Sequence, residues 1–400
     1  MKNLLIISAD NDDYNANTDD YGRYNYMVKN VSAKYHIQVL NYFVTQQHEN
    51  LITKLLNPIK KNERTPIKTL RVRLLFEEKP KSRVFNRYVY PLLFTFLQPM
   101  FVVLTAYKRV GKNDICLAGG LWGGIIGYML KCLGKTDFLV YEDLDLFSYF
   151  WDNKLFQTTL YSIEKFVVTR ADLVVSVSDE LAELRRSQGA KNVIVSPNGV
   201  DYNLFSKGQY KKEHAPTLVY AGGLADYQGI DLPIRCLPEL VKLLPKIRFL
   251  ILGTGPYESE IRAMIKELEL EETIFLLGAQ EHKKLPDYFS ESDIAVATVK
   301  PRILTRFSAP YKIPEYLAAG LPIIATKIKK KQMDNMEKGV ISIDLDERTF
   351  TNVVLNLFSQ IELYRELSEQ AVKTAKEYDW SVLFKNEFDE IEKTIGKKEF

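Results

Sequence analysis

Residues 308–326 read SAPYKIPEYLAAGLPIIAT. A polar stretch leads into an apolar-periodic segment, Ile313–Ala319, that stops at Gly320. Glycine is favoured just past a helix C-terminus because it tolerates a left-handed backbone. Pro322 cannot continue a helix, and Ile323–Ala325 is a short apolar run of the strand type. Loop, helix, glycine stop and strand make one period of a parallel α/β sheet. Lys312 and Glu315 stand three apart, so both can leave the first turn of this helix on one side. A carboxylate there can accept two sugar hydroxyls and a lysine can meet a phosphate. The alternative is a local Lys–Glu pair on a solvated face, worth roughly a few tenths of a kcal/mol.

The same alternation extends in both directions from this stretch. In the first half the strand-like runs are Leu4–Ser8, Ile37–Phe43, Ile115–Ala118, Phe138–Tyr141, Leu173–Val177 and Val193–Ser196. Helical patterns lie at Gly123–Leu133 and Leu155–Thr169. Asn203–Pro216 is polar and lysine-rich, without apolar period, and reads as a linker. Strand-like runs then resume at Thr217–Ala221, Ile247–Leu252, Ile274–Leu277, Ile294–Thr298, Ile323–Ala325 and Gly339–Ile343, with helical patterns at Pro256–Leu268 and Ile313–Ala319. Trp380–Ile395 is amphipathic at helical spacing. The expected architecture is α/β, with two Rossmann-like domains and a cleft between them. The division is an N-terminal domain over 1–200, a linker over 201–216, a second domain over 217–378 and a C-terminal helix over 379–400.

Composition agrees with this and excludes other classes. With 400 residues, 46% hydrophobic and 26% charged, the chain is neither disordered, collagen-like nor coiled-coil. Three widely spaced cysteines (Cys116, Cys132, Cys236) and four scattered histidines make no disulfide framework or zinc spacing, so a reducing, cytoplasmic setting is expected. The net charge of +3 hides an asymmetry. Residues 60–112 hold 13 Lys/Arg against 3 Glu, so the rest of the chain sums to −7. Such a stretch calls for an anionic partner. The run Leu4–Ile7 is too short for a signal-peptide core and reads as a buried strand. Tyr88–Tyr107 is long and uncharged, but Pro91 and Pro99 interrupt it. A spanning helix, a buried helix and an interfacial helix with a basic rim all compete for it.

Five short motifs carry candidate chemistry. Ser196-Pro197-Asn198-Gly199-Val200-Asp201 follows a strand and reads as a turn. Val219-Tyr220-Ala221-Gly222-Gly223-Leu224 ends a strand with glycines that let a diphosphate approach backbone N–H groups, and Tyr227-Gln228-Gly229-Ile230-Asp231 lies behind it. Leu252-Gly253-Thr254-Gly255-Pro256 is a second strand-to-helix glycine turn. The fourth is the Lys312/Glu315 helix. The fifth, Tyr141-Glu142-Asp143-Leu144-Asp145, places three carboxylates at a strand's C-terminal edge, where they read as facing a cleft or as a helix N-cap cluster.

In this order the motifs resemble the retaining GT-B glycosyltransferases of family four, glycosyl transferases group 1, over most of the chain. The resemblance implies the GT-B fold, its two domains facing across a cleft and its last helix crossing back to the N-terminal domain. It implies an EC 2.4 hexosyltransferase-type enzyme moving a sugar from a UDP- or GDP-sugar, with retention, no metal and no other cofactor. The acceptor would be a lipid-linked saccharide, a lipid or a growing glycan. The setting would be the inner face of the cell membrane, reached through the anionic-surface-binding residues 60–112, with no nucleic-acid partner. Glu315 matches the family's ribose-binding glutamate, and Asp145 resembles an aspartate near the reacting sugar. The implied catalytic residues are Asp145 and Glu315. The implied donor residues are Gly222, Gly223, Gly253, Gly255, Arg302, Arg306, Ser308, Pro310, Lys312 and Glu315.

Four departures stand out. Phe307 occupies the place of the family's first glutamate, eight residues before Glu315. Gly223 and Gln228 replace the usual arginine and lysine of the phosphate loop, and no histidine stands near Gly119-Gly120-Leu121-Trp122. Arg302, Arg306 and Lys312 are the remaining bases for a diphosphate clamp. The alternative reading is a catalytically silent sugar-nucleotide-binding or scaffold protein of the same fold.

Overall fold

The computed structural model describes residues 1–8, 22–43, 59–61, 68–73, 90–151, 153–206, 215–327 and 339–398. They form two compact units: Met1–Pro197 with Phe384–Phe400, and Asn198–Leu383.

The first unit is built on a sheet in the order β3-β4-β2-β1-β5-β6-β7-β8. β1 (Lys2–Ser8) is central. On one side lie β2 (Tyr35–Phe43), β4 (Lys68–Arg73) and β3 (Ile59–Lys61). On the other lie β5 (Asn113–Gly119), β6 (Thr136–Asp143), β7 (Leu173–Ser176) and β8 (Val193–Val195). β3 is antiparallel to β4, and every other pairing is parallel. Leu4, Leu5, Ile6 and Ile7 are all fully buried. This is why β1 is a continuous apolar run and not an alternating one: a parallel strand covered on both faces has no solvent side.

β3 and β4 are absent from the sequence reading. Their charge hid them. Lys68–Arg73 is KTLRVR, a period-two pattern whose Leu70 and Val72 are buried while Arg71 and Arg73 take the alternate positions. Lys79, Lys81, Arg83 and Arg87 lie outside the described residues. The long uncharged stretch becomes a helix, Tyr90–Ala106, with Pro99 inside it. Gln98, Val102, Val103 and Ala106 are buried, whereas Phe96, Leu97, Met100 and Leu104 are exposed. Among the described residues no helix is long and apolar enough to cross a membrane.

The last helix, Trp380–Lys398, gives this unit its residues from Phe384 onward. Phe384, Phe388 and Ile391 are buried at helical spacing, and Phe388 lies 5.2 Å from the Tyr35 ring. Tyr35 donates to Glu392 at 2.7 Å, and Lys2 pairs with the same carboxylate.

The second unit carries a wholly parallel sheet in the order β11-β10-β9-β12-β13-β14. The strands are β9 (Thr217–Ala221), β10 (Arg248–Leu252), β11 (Ile274–Gly278), β12 (Ile294–Ala297), β13 (Ile323–Thr326) and β14 (Val340–Ile343). Counted from β9 this is 3-2-1-4-5-6, the doubly wound order whose ligand crevice lies at the carboxyl ends of the strands where the winding reverses, here β9 and β12. All six strands fall within a residue or two of the apolar runs read from sequence. Half of the linker, residues 207–214, lies outside the described residues, and the part before it includes a short helix, Tyr202–Phe205.

Candidate functional site

The carboxyl ends of β9, β10 and β11 are joined backbone to backbone. Gly222 N–H donates to Leu252, Gly253 N–H to Gly278 and Leu224 N–H to Thr254, at 2.9, 2.8 and 2.9 Å. Two glycines are required for this. Gly253 has φ +149°, and a Cβ on it would lie 1.9 Å from the Gly222 carbonyl oxygen. Gly222 has φ +150°, and a Cβ on it would meet the Lys312 ammonium at 2.9 Å. Such conformations and contacts leave room for no side chain. At Gly223 a Cβ would meet nothing within 4 Å among the described residues.

The helix Lys312–Ala318 is fixed against this floor by Tyr316. Its hydroxyl accepts from the Ala221 N–H at 2.6 Å, and its ring is fully buried against Phe289 at 5.1 Å. The helix then presents Lys312 and Glu315. The half-buried Lys312 places Nζ 4.1 Å from the centre of the Tyr220 ring and donates to Gln228 Oε1 at 3.0 Å. Burial pushes its pKa down to about 7, with Glu315 pulling the other way. Glu315 is buried, and its Oε1 shares a 2.8 Å hydrogen bond with Nε2 of His282. His282 follows β11 in a short turn, and its ring packs edge-on at 5.2 Å from Phe205.

The loop carrying Gln228 is pinned to the end of β12. Gly229 (φ +65°) approaches so closely that a Cβ would lie 1.6 Å from the Thr298 oxygen. Thr298 donates its hydroxyl to Gly229 at 2.9 Å. Lys300 and Arg302 both pair with Asp226, Lys300 at 2.6 Å, and Lys300 also reaches Asp231 at 3.2 Å. The hydrogen bond from Lys300 holds the Asp226 carboxyl below its ordinary value, with the two nearby cations helping. Of the three bases named from the sequence, then, Arg302 is engaged by an aspartate of its own unit. Arg306 is exposed, with its guanidinium 5.8 Å from the Phe307 ring. Lys312 alone stands on the glycine floor. Ser308 is half-buried, Pro310 is exposed, and Ala309 between them accepts from the Asn198 side chain at 2.7 Å. That bond ties Asn198, the first residue of the second unit, to the loop ahead of Lys312.

In the first unit the acidic stretch divides. The reading of three carboxylates facing a cleft is corrected: Glu142 and Asp143 are fully buried. Glu142 meets Arg23 at 2.8 Å, and the same guanidinium meets Glu387 of the last helix at 2.6 Å. Asp143 takes Arg185 and the Ser176 hydroxyl at 2.8–2.9 Å. Burial raises Glu142 to about 8 against the pull of Arg23, and raises Glu164, beside Arg185, to about 7. These are core ion pairs, needed because a buried carboxylate without a cation is strongly disfavoured. Asp145 is half-buried just beyond β6, ahead of the Phe147–Phe150 turn.

Residues 215–360 match the family model of glycosyl transferases group 1. This range lies within the second unit and contains the whole glycine floor with Lys312, Glu315 and His282. The second unit is a group 1 glycosyl transferase domain. Beyond it, 256 residues (60% of this chain) are 24% identical to one subunit of the human phosphatidylinositol N-acetylglucosaminyltransferase, and the match spans about half (52%) of that relative's length. The fold is shared with sucrose-phosphate synthase from Thermosynechococcus elongatus (TM-score 0.73, 16% identity, 99% of this chain and 100% of that one). It is also shared with Anabaena HepE in complex with UDP-glucose (TM-score 0.70, 16% identity, 98% and 100%). The fold is therefore GT-B, built from two Rossmann-like units. The residues that the sequence did not single out at the group 1 site are His282, Gln228 and Tyr220 as partners of Glu315 and Lys312. A histidine just past the carboxyl end of a parallel strand was the available signal for His282.

Proposed function

We propose that this chain is a glycosyltransferase moving a sugar from a nucleoside diphosphate sugar to a hydroxyl acceptor. One observation carries the reading: on one helix turn, the Lys312 ammonium sits against Gly222 while Glu315 is held by His282. The ammonium is placed for a diphosphate on the glycine floor, and the carboxylate for two ribose hydroxyls. The donor residues are Gly222, Gly223, Gly253, Gly255, Lys312 and Glu315, with Ser308 and Pro310 on the adjoining loop and Arg302 and Arg306 at its edge. Asp145 of the first unit is the carboxylate assigned to the reacting sugar. Transfer proceeds without a divalent metal, because Lys312 meets charge on the leaving diphosphate, and with retention, as the resemblance to family four implies. The acceptor is a lipid or lipid-linked saccharide at the inner face of a membrane. The human relative, by its name, acts on phosphatidylinositol, and residues 60–112 carry a charge suited to anionic headgroups.

A second reading, nucleotide binding without turnover, is favoured by Phe307, Gly223 and Gln228 standing where the resembled family carries a glutamate and two bases. One experiment separates the two. Nucleoside diphosphate sugars are screened by thermal shift, and the best binder is incubated with membrane lipid extract in EDTA. Release of nucleoside diphosphate together with a glycosylated lipid retaining the anomeric configuration is expected. Binding without release supports the second reading, and activity restored only by magnesium removes the metal-independent part.

A further inference from the structure

The first unit carries an open groove of about 660 Å³ between the helices Tyr90–Ala106, Gly120–Cys132 and Lys154–Val168, lined by Phe96, Met100, Ile125, Tyr128, Ile163 and Phe166 among others. Four lining residues carry hydroxyls, Tyr128, Thr158, Thr159 and Ser162, and the last three turn their donors away from the groove. Thr158, Thr159 and Ser162 donate to the carbonyls of Lys154, Leu155 and Thr158 of their own helix, each at 2.9 Å. Their donors are spent inside the helix, leaving only acceptor lone pairs toward the groove. A sugar, nucleotide or extended peptide needs several donors and acceptors, whereas this groove is lined mainly by carbon.

The surface around it is apolar and one-signed. Phe96, Met100 and Phe166 are 54%, 45% and 41% exposed on the groove itself, and Leu104 and Leu155 on the same helices are 70% and 76% exposed. A water-facing apolar patch of this kind marks an interaction surface. The three helices hold three lysines (Lys131, Lys154, Lys165) and a single acid, Glu164, which is fully buried beside Ser148 and Arg185. Arg170 stacks its guanidinium 3.8 Å over the ring of Phe166, a groove residue. Lys108 and Arg109 follow the first helix and are exposed. Of the neighbouring acids, Asp137 and Asp172 are already paired, with Lys112 and Lys131.

From this juxtaposition we infer that the groove binds an anionic lipid, with its hydrocarbon chain along the apolar floor and its headgroup against the cationic rim led by Arg170. The inference deepens the lipid-acceptor reading above and rests on it only for the setting. An apolar chain gains by leaving water, and the cations hold the headgroup at the interface.

The test uses the full chain and vesicles of 1:1 phosphatidylglycerol and phosphatidylcholine, with pure phosphatidylcholine as control. The wild type is expected to sediment with the anionic vesicles at least tenfold more strongly than with the neutral ones, less so as salt rises from 50 to 150 mM. Ser162→Trp fills the groove from an exposed position and leaves every charge in place. It is expected to lower vesicle partition at least tenfold, as is Phe96→Asp with Met100→Asp. Lys154→Glu with Arg170→Glu should remove the preference for anionic vesicles. Circular dichroism and the nucleotide thermal shift, which reports the second unit, should be unchanged in all of them. Loss of vesicle binding with that shift intact isolates the groove from the donor site. Wild type left in the supernatant with both vesicles overturns the inference. So does a Ser162→Trp variant that binds anionic vesicles like the wild type, since charge alone then suffices. A dimer dissolved by Ser162→Trp in sedimentation velocity, with no vesicle binding, assigns the groove to a second copy and also overturns it.

Discussion

Lys312→Met, followed across pH, tests the donor site most sharply. Methionine keeps the length and apolar stem of lysine and removes the charge. In the free protein burial pushes the Lys312 pKa down to about 7, against the pull of Glu315, and Gln228 Oε1 and the Tyr220 ring are its near partners. A diphosphate on Gly222 would bring anionic charge to this ammonium and pull its pKa back up. Binding must then take up a proton: about half a proton at pH 7 and nearly a whole one at pH 8.5, where the free lysine is almost wholly neutral. If only the ammonium binds well, the charged fraction falls about fiftyfold between pH 7 and pH 9, about 2.3 kcal/mol of donor affinity. The loss in Lys312→Met should therefore be large at pH 6.5, roughly ten- to a hundredfold for a charge-assisted hydrogen bond, and should shrink toward nothing at pH 9. Isothermal titration with the best-binding nucleoside diphosphate sugar, in two buffers of different ionisation enthalpy, reads both affinity and proton uptake. The diphosphate diester does not titrate in this range, and ionisation of a uracil or guanine base near its upper end is common to wild type and variant, so the difference between their slopes belongs to Lys312. A constant ratio between wild type and variant from pH 6.5 to 9, or no proton uptake in the wild type, would refute the reasoning.

Two further outcomes follow from the same geometry. Glu315→Gln should weaken donor binding by roughly 1.5–3 kcal/mol, ten- to about a hundredfold, with the melting temperature little changed; His282→Ala should raise the donor KM in the same direction through Glu315, and normal donor affinity in both variants would remove Glu315 from the ribose site. In the first unit, Glu142 is raised by burial above its unfolded value, so between about pH 4.5 and 8 the folded state holds the extra proton and stability falls as pH rises, by up to about 1.4 kcal/mol per pH unit for this group. Urea unfolding of Glu142→Gln should lose that component of the slope, and Arg23→Met should cost about 3–5 kcal/mol above pH 8, where Glu142 is ionised and would be left buried without its cation; parallel pH slopes in wild type and Glu142→Gln would show that Glu142 keeps its ordinary titration.

Most of the fold was legible because parallel strands buried on both faces announce themselves as continuous apolar runs. β1 with Leu4–Ile7 and β13 with Ile323–Ala325 needed no other information. β4 failed the same test because it is partly charged: KTLRVR interleaves Lys68, Arg71 and Arg73 with Leu70 and Val72, which are buried. The local charge balance, which correctly flags the stretch as basic, is blind to a period of two within it. The last helix shows the opposite case. Its apolar positions were plain, but what they cover was not, since Glu387 reaches Arg23 across 364 residues of sequence.

The site was legible where local chemistry decides and illegible where packing does. Gly222, Gly253 and Gly255 could be singled out because close backbone approach after a strand requires glycine whatever the rest of the chain does. Lys312 could be noticed, but its altered acidity comes from burial, and it packs against Tyr220, Gln228 and Gly222, which are distant in sequence. Its partner Glu315 depends in turn on His282, brought close only by the end of β11. The acidic stretch is different, because a rule available from the start decides it. Glu142 and Asp143 are consecutive residues of one strand, and successive side chains of a strand point to opposite faces. They could not have formed one cluster: Glu142 turns to Arg23 on one face and Asp143 to Arg185 on the other. Asp145 lies past the end of β6 at Asp143, so this alternation assigns it to neither face, and it is half-buried.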